Sequence, residues 1–373
     1  EQAHNVLSTE QELIAIVDLI GCVASNVVLD PTELNGYFFK EGDFNTFLGI
    51  LLQLLQEQLT HSLKAHILNA LEGFAVHKEA AKCIMEKLDE FMGLPDLKSS
   101  FLKLPPAQEK SSGIRWELRV EEPMKNSCQT IAFLSLIQRI VERHGLKILS
   151  DFESRPAGFA PFLMMCVHDI FERLEGWQYD DLTQKWQLGA SCVRLIVTLA
   201  DGYAPHRSDF EAYVAALEAD KSDHDGQSSA QPQSPPPSRK SNFEILDNTS
   251  AAPKWRPFQH PGFYLMVDSR DGSRFTKGLF KLLFSLSLVD SRVCSPEGKA
   301  MEDFAVEALQ LLEFVLQWED SFQELASEFG CSFATSRDIR LAKTIARSYP
   351  FAFNLATLVA YRFNPEIRLL ATR

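Results

Sequence analysis

Residues 43–75 read DFNTFLGILLQLLQEQLTHSLKAHILNALEGFA and hold two successive runs of apolar side chains spaced three and four residues apart. Such a spacing predicts helices with one buried stripe and one solvated face, and Gln53 and Glu57 fall opposite the first stripe. The predicted buried stripe of the first helix, which begins near Asp43, is Phe47, Leu48, Leu51, Leu52, Leu55 and Leu59. That of the second helix is Leu63, Ile67, Ala70, Leu71 and Phe74.

The same periodicity continues along most of the chain. Strand-like alternation is nearly absent, and the Val-rich residues 23–29 are interpreted as a helix end. A long helix is predicted from Glu297, with Asp303 and Gln317 on its polar side. Its predicted buried side is Met301, Phe304, Ala305, Ala308, Leu312, Val315 and Leu316. We therefore predict an all-α protein with roughly a dozen helices of ordinary length.

Capping signals mark many of the predicted helix ends. Ser or Thr followed by Glu or Gln three residues later satisfies orphan amides at a helix start, as does Asn or Ser before Pro. Gly and Pro steps favour helix ends. The predicted starts are Ser8-Thr9-Glu10-Gln11, Ser208-Asp209-Phe210-Glu211, Ser295-Pro296-Glu297 and Asn364-Pro365-Glu366, and the predicted ends are Asp30-Pro31, Gly93-Leu94-Pro95, Gly145 and Gly330.

Helices joined by short connections form either a globular bundle or a stack of helical pairs. A bundle of 373 residues around one core would be unusually large, so the length of the chain favours the stack. No strict tetratricopeptide or HEAT consensus repeats along the sequence. The predicted fold is therefore an α-solenoid of irregular HEAT/armadillo-like helical pairs.

One segment breaks the helical pattern. Residues 220–257 read DKSDHDGQSSAQPQSPPPSRKSNFEILDNTSAAPKWRP, with few apolar side chains and a run of three prolines. Such a composition cannot offset an ordering cost of about 1–2 kcal/mol per residue. We predict a disordered Ser/Pro-rich insertion here, between a first solenoid block at 1–219 and a second block at 258–373 that continues beyond the fragment. A groove-binding PxxP-type match and phosphorylation at Ser234 are conceivable in it, but such matches arise often by chance.

The chain is acidic, with 50 acidic against 37 basic residues and a formal net charge of −13. This charge disfavours direct binding of nucleic acid and favours basic segments of partner proteins, although it also serves simply to keep a large surface soluble. No signal peptide is recognisable, and no apolar run approaches the roughly 18–20 residues that span a bilayer. Both ends are interpreted as cuts in a longer polypeptide.

Cysteine and histidine do not form a recognisable site. The cysteines show no CxxC spacing and indicate a reducing compartment, cytoplasm or nucleus. His61 and His66 are five residues apart and should lie on diverging faces of a helix, and Cys166 and His168 do not converge either. The cysteines are Cys22, Cys83, Cys128, Cys166, Cys192, Cys294 and Cys331. The histidines are His4, His61, His66, His77, His144, His168, His206, His224 and His260.

Catalytic motifs are equally absent from the sequence. There is no phosphate-binding glycine loop, dinucleotide fingerprint or nucleophile elbow, and residues 268–272 are better explained as a polar turn than as a calcium loop. The acidic pairs Glu121-Glu122 and Asp180-Asp181 are expected at helix starts or in loops. We therefore predict no enzyme, with no catalytic, cofactor-binding or metal-binding residues, and the sequence does not identify the partner-binding residues.

Five stretches occur in order between residues 63 and 286. They contain Trp116-Glu117-Leu118, a Thr-x-Ala-Phe-Leu helix from Thr130, a Gly-Phe-x-Pro-Phe turn from Gly158, the Lys185-Trp186 pair and a Pro-Gly-Phe turn from Pro261. The stretches are LKAHILNALEGFA (63–75), GIRWELRVEEPMKNSCQTIAFLSLI (113–137), RPAGFAPFLMMCVHDIF (155–171), KWQLGASCVRLI (185–196) and HPGFYLMVDSRDGSRFTKGLFKLLFSL (260–286). Together they resemble the middle of the large inner-ring scaffold nucleoporins of the nuclear pore (the nucleoporin 205/192 type, with nucleoporin 188 as paralogue), and NPEIRLL (364–370) is similar to their later helices.

The resemblance implies a superhelical scaffold in the nuclear envelope that supports nucleocytoplasmic transport. It implies scaffold, linker and adaptor nucleoporins of the inner ring as partners, with short linear segments of flexible nucleoporins held on the surface of a large multi-copy assembly. It carries no catalytic residue and no cofactor. The alternative is a karyopherin-like acidic HEAT-repeat transport receptor, which would bind Ran in a nucleotide-dependent manner.

Overall fold

The computed structural model describes residues 2–26, 46–92, 114–149, 159–202, 274–287, 295–328 and 340–373. All regular secondary structure within these ranges is helical, which confirms the all-α prediction. A short 3-10 turn, Leu146–Leu149, follows α6, and α7 continues through a π-helical turn, Met165–Ile170, and a 3-10 turn, Phe171–Arg173. The α-helices are α1 (Gln2–Asn26), α2 (Phe47–Leu54), α3 (His61–Phe74), α4 (Lys78–Met92), α5 (Ile114–Met124), α6 (Cys128–His144), α7 (Ala160–Met164), α8 (Leu182–Asp201), α9 (Arg274–Ser287), α10 (Pro296–Glu328), α11 (Leu341–Arg347), α12 (Tyr349–Val359) and α13 (Pro365–Thr372).

The helices stack in two rows. In the first row α1 packs on α3, α3 on α6, α6 on α8, α8 on α10, and α10 on α13. Helices α2, α4, α5, α9, α11 and α12, with the α7 segment, pack against this row and make up the second one. Each helix of the first row makes its main contacts with the row helices immediately before and after it, which is the arrangement of an α-solenoid. The predicted solenoid is therefore confirmed.

The predicted stripes account for most of the core. All five predicted positions of α3 are buried, and in α10 only Leu316 of the predicted set is half-buried rather than buried. The first run is partly wrong, because α2 ends at Leu54 and Leu59 lies in the connection to α3. Phe47 is 38% exposed because Leu48, Leu51 and Leu52 already form the stripe that faces the stack.

The local capping signals have mixed outcomes. The Asn364 side chain accepts a hydrogen bond from the Glu366 amide at 2.9 Å, and Ser295 Oγ accepts one from the Gly298 amide at 3.0 Å. Gly145 ends α6 with a φ of 77°, a conformation that favours glycine. The capping box at Ser8 is wrong, because α1 begins at Gln2 and runs through it. Outside the described residues lie the signals at 208–211, 30–31, 93–95 and 330 and the predicted insertion at 220–257.

Helices on either side of residues 203–273 pack directly against one another. The Phe304 ring of α10 lies 5.6 Å from the Trp186 ring of α8 and 6.4 Å from the Phe171 ring, measured between centroids. Arg194 Nε of α8 also donates to Glu307 Oε1 of α10 at 2.6 Å. The division into blocks at 1–219 and 258–373 remains a prediction, and this contact is where the two blocks would meet.

Helices α1 and α3 cross at two glycines. A Cβ atom placed on Gly73 would lie 2.6 Å from the Gly21 carbonyl oxygen and 2.7 Å from Ser25 Oγ. A Cβ atom on Gly21 would lie 2.6 Å from Ala70 Cα. The crossing therefore depends on the absence of both side chains, because the nearest atoms belong largely to backbone that cannot rotate away.

We expect Gly73→Ala to destabilise the chain by about 1–3 kcal/mol, because the added methyl group forces α1 away from α3. Urea denaturation followed by circular dichroism measures this change. Gly176→Ala is the matched control, since a Cβ atom there meets only the Arg173 carbonyl oxygen at an ordinary 3.5 Å. Equal effects of the two substitutions would contradict the close crossing.

Candidate functional site

A groove of about 260 Å³ crosses three consecutive helices of the first row, α3, α6 and α8. It runs across the row rather than along one helix, so each helix contributes one stretch of its solvated face. The groove is lined by Ser62, Ala65, His66, Asn69, Cys128, Ile131, Ala132, Ser135, Gln184 and Gln187. We refer to this surface as the row groove.

The lining of the row groove mixes polar and apolar side chains and is almost uncharged. Hydroxyl and amide groups come from each helix, for example Asn69 of α3, Ser135 of α6 and Gln187 of α8. His66 is the one titratable side chain of the lining other than Cys128, and its Nδ1 lies 2.7 Å from Asp18 Oδ1 of α1. Amides and hydroxyls both donate and accept hydrogen bonds, so this lining matches the alternating N–H and C=O groups of an extended polypeptide.

Gln184 links the groove to the framework beneath it. Its Oε1 accepts a hydrogen bond from the Ser127 amide at 3.1 Å, just before α6 begins. This bond fixes the start of α6 against α8. The groove wall is therefore held by the same contacts that join the two helices.

Glu121 caps α6 from the preceding helix, and here the sequence-based placement is wrong. Glu121 lies in the last turns of α5, not at a helix start or in a loop, and its side chain is buried. Its carboxylate accepts the Gln129 amide at 2.7 Å and the Thr130 amide at 3.1 Å, two of the orphan donors of α6. Burial raises the pKa of the Glu121 carboxyl above its ordinary value of 4.5, although these hydrogen bonds oppose the shift.

The raised pKa of Glu121 predicts a pH dependence. The folded state binds the Glu121 proton more tightly than the unfolded state, so protonation of Glu121 contributes to the free energy of unfolding. This contribution is complete below pH 4.5 and is lost as pH rises through the raised pKa of Glu121. We expect the free energy of unfolding of the wild type, relative to Glu121→Gln, to fall between acidic and neutral pH. Paired urea titrations of the two proteins measure it, and a difference that is constant or rises with pH would contradict the account.

The other acidic residues singled out in the sequence lie where solvent reaches them. Glu122 Oε2 accepts a hydrogen bond from Arg173 Nη2 at 2.7 Å. Asp181 Oδ1 caps α8 by accepting the Thr183 amide at 2.8 Å, and Asp180 is exposed. The expected position of the Asp180-Asp181 pair at a helix start is thus confirmed.

The Cys128 and Cys192 thiols are unsuited to nucleophilic or metal chemistry. Burial and then the Glu121 charge raise the pKa of the Cys128 thiol to about 11. Burial also raises the pKa of the Cys192 thiol, which donates to the Cys166 carbonyl at 3.1 Å. Thiols with raised pKa values stay protonated at neutral pH, and the thiolate is the reactive form. No disulfide joins the described cysteines, and Cys294 and Cys331 lie outside the described residues.

Three of the described histidines, His61, His66 and His144, connect helices. His61 Nδ1 lies 2.7 Å from Gln129 Oε1 of α6, whereas His66 contacts α1, so the predicted divergence of these two side chains is confirmed. His144 Nε2 lies 2.7 Å from the Ala75 carbonyl oxygen, and His168 Nδ1 lies 3.1 Å from Glu172 Oε1. Among the residues that the structure describes, no three His, Cys, Asp or Glu side chains are grouped as metal ligands.

The sequence did not point to the row groove because its residues carry no motif. They are ordinary polar and apolar side chains of three helices, as far apart in sequence as Ser62 and Gln187. The usable signal is that these faces carry amides and hydroxyls where charged residues are usual. Which faces lie side by side is decided only by the packing of α3, α6 and α8.

The fold defines a helical scaffold of the solenoid class, with a groove across three helices of its first row. Within the described residues no helix is long and apolar enough to span a bilayer. Residues 7–354 match the family model described as "Nuclear pore complex scaffold, nucleoporins 186/192/205". The chain belongs to this family of scaffold nucleoporins, and this places it in the nuclear pore complex at the nuclear envelope.

Individual relatives agree with the family match. The chain is 24% identical over 330 residues to the Homo sapiens nuclear pore complex protein Nup205, across 85% of this chain and 14% of that protein. It is 25% identical over 161 residues to the Drosophila melanogaster Nup205, across 43% of this chain and 7% of that protein. The chain thus spans about a seventh of the human relative's length at most, and it is similar to a part of each.

Proposed function

We propose that this chain is part of the inner-ring scaffold of the nuclear pore and that its row groove holds an extended segment of a flexible linker nucleoporin. The fold supplies a stiff row of helices, and the groove supplies hydrogen-bonding side chains across three of them. The observation that carries the proposal is this almost uncharged lining of hydroxyl, amide and apolar side chains, shared by α3, α6 and α8. A scaffold of this kind supports nucleocytoplasmic transport by fixing linker segments in place.

The size and direction of the groove suit an extended chain. Neighbouring helices of a packed row lie about 8–10 Å apart, so three helices span about 20 Å. An extended polypeptide rises about 3.3 Å per residue, so five or six residues would cross the three helices. The partner segment would donate and accept backbone hydrogen bonds with side chains such as Asn69 and Gln187.

Charge gives the bound segment a preferred composition. Gln184, Gln187 and Arg194 share one side of α8, and Arg194 lies about 10 Å beyond Gln187 along the helix. There Glu307 has a pKa raised mainly by burial, lowered by Arg194 and raised further by the negative charges of Asp303 and Glu366. A basic residue on the segment that reaches this end would be attracted by the carboxylates of Asp303 and Glu366. This agrees with the net charge of −13.

A site-specific photo-crosslinker tests the proposal in cells. With p-benzoylphenylalanine at Ser135 in the groove of the full-length protein, we expect covalent adducts to the flexible segments of other nucleoporins, mapped by mass spectrometry. Glu86, an exposed residue of α4, is the matched control position and should give no such adduct. Adducts that are the same at both positions, or that contain Ran in a nucleotide-dependent manner, would contradict the proposal.

A further inference from the structure

Helix α12 differs from the other helices in its exposed surface. Its exposed residues are all apolar or aromatic, and the hydroxyl of Tyr349 is their only polar side-chain group. Tyr349 is 77% exposed and Phe353 is 46% exposed, and their rings stack at 5.8 Å between centroids. By contrast, the exposed residues of α4 include Lys78, Glu79 and Glu86. The exposed residues of α12 are Tyr349, Pro350, Phe353, Ala356 and Val359.

The opposite side of α12 is buried and packs against α9. Asn354 and Leu358 are buried, the Asn354 side chain donates to the Phe280 carbonyl at 3.2 Å, and the Phe351 and Phe280 rings stack at 4.2 Å. The exposed stripe therefore lies on the face that turns away from α9. Because Tyr349, Phe353 and Ala356 recur four and three residues apart, they form one continuous ridge of the helix.

The sequence around α12 is basic although the chain as a whole is acidic. Residues 340–373 carry six Lys and Arg side chains and a single acidic side chain, whereas the whole chain has a net charge of −13. Two of the six, Arg340 and Arg373, pair with carboxylates of α10. Arg347 precedes α12, and Arg362 follows it, so exposed cations lie near both ends of the ridge. Arg362 and Arg368 make no ion pair within the described residues. The basic residues are Arg340, Lys343, Arg347, Arg362, Arg368 and Arg373.

We propose that α12 with Arg362 and Arg368 forms a surface that binds an anionic lipid bilayer. An exposed apolar ridge with an aromatic side chain at one end and cations beside it is the composition of helices that lie in the interface of a membrane. The Tyr349 and Phe353 rings enter the boundary between headgroups and acyl chains, and the arginines contact anionic headgroups. The attraction of each cation to such a surface is screened by salt. This surface is separate from the row groove and does not depend on what the groove binds.

Flotation of the 373-residue chain with vesicles tests the surface. We expect the wild type to float with vesicles of phosphatidylcholine and phosphatidylserine and to remain unbound with phosphatidylcholine alone. Phe353→Glu should reduce binding at least about tenfold, because it places a charge where apolar surface enters the bilayer. Leu19→Glu, at an exposed apolar position of α1, is the matched control and should bind like the wild type.

A second variant guards against misfolding of the first. Arg362→Glu combined with Arg368→Glu changes only exposed side chains, and each lost cation should weaken binding about fivefold at low salt. Thermal melts that coincide with the wild type confirm that either variant is folded. If the wild-type chain binds neither kind of vesicle, the proposal is overturned, and α12 would instead be a surface for a protein partner. Binding that survives all three substitutions, or that is lost equally in Leu19→Glu, overturns it as well.

Discussion

Leu71→Asp is expected to destabilise the chain by about 4 kcal/mol or more, since it buries an unpaired carboxylate in the core. Leu71 is completely buried in α3, and α3 packs on both α1 and α6 in the first row. The substitution therefore removes apolar contacts within the core and adds the cost of desolvating a charge. Urea denaturation followed by circular dichroism measures the loss, and a partly unfolded protein at neutral pH is one acceptable form of the result.

Two comparisons make this prediction specific. Asn69→Asp introduces the same side chain two residues earlier on α3, where the residue is exposed, and should change stability by no more than about 0.5 kcal/mol. Deleting residues 224–250 from the predicted insertion should also cost little, because loop length affects closure entropy only weakly. A deletion that costs more than Leu71→Asp would show that the division into solenoid and insertion is wrong.

Phe304→Ala is expected to cost about 3–5 kcal/mol, the usual range for removing a buried phenylalanine ring. The ring is 1% exposed and lies against Trp186 and Phe171 of the preceding helices. It also fills the space beside Gly189, where a Cβ atom would lie 3.2 Å from the ring. No neighbouring side chain can replace it, so the cavity should remain largely open.

The effect of Phe304→Ala also shows whether the two predicted blocks unfold together. If α8 and α10 form one cooperative unit, hydrogen exchange should accelerate in α8 and in α10 alike. Phe363→Ala is a suitable control, because Phe363 is 48% exposed and its removal should leave exchange in α8 unchanged. Faster exchange confined to α10 would mean that 1–219 and 258–373 fold independently.

Features encoded within a few residues were predictable from the sequence. The stripe of α3 and most of that of α10 follow directly from the spacing of apolar residues. The starts of α10 and α13 were predictable because Ser295 and Asn364 bond to amides two or three residues away. The end of α6 at Gly145 depends on one backbone angle that glycine favours.

Features that depend on distant residues were not predictable in the same way. The Ser8 signal failed because a continuous helix outcompeted a cap that was available in the sequence. Glu121 looked like a surface carboxylate, yet packing of α5 on α6 buries it beneath the Gln129 and Thr130 amides. The row groove depends likewise on the packing of three helices, so no single segment could indicate it.

The contacts along the first row suit the chain to the role of a scaffold. Successive helices of the first row are joined by polar contacts as well as by the core. These contacts are His66 of α3 with Asp18 of α1, His61 of α3 with Gln129 of α6, and Arg194 of α8 with Glu307 of α10. Exposed ion pairs contribute little to stability, but they fix the register of one helix on the next. A row held in this way keeps its surface in a constant position for a bound partner segment.

Cross-linking mass spectrometry of the full-length protein in isolated nuclear envelopes tests most directly that the chain is one continuous helical stack within the pore scaffold. Burial is the main cause that lowers the pKa of Lys185; the charge of Glu175 opposes it, and the nearby charge of Lys281 lowers the pKa further. We predict a Lys185–Lys281 link, which joins the helices on both sides of 203–273, together with links to other scaffold nucleoporins. Absence of the Lys185–Lys281 link, or links only to Ran and soluble cargo, would contradict the account.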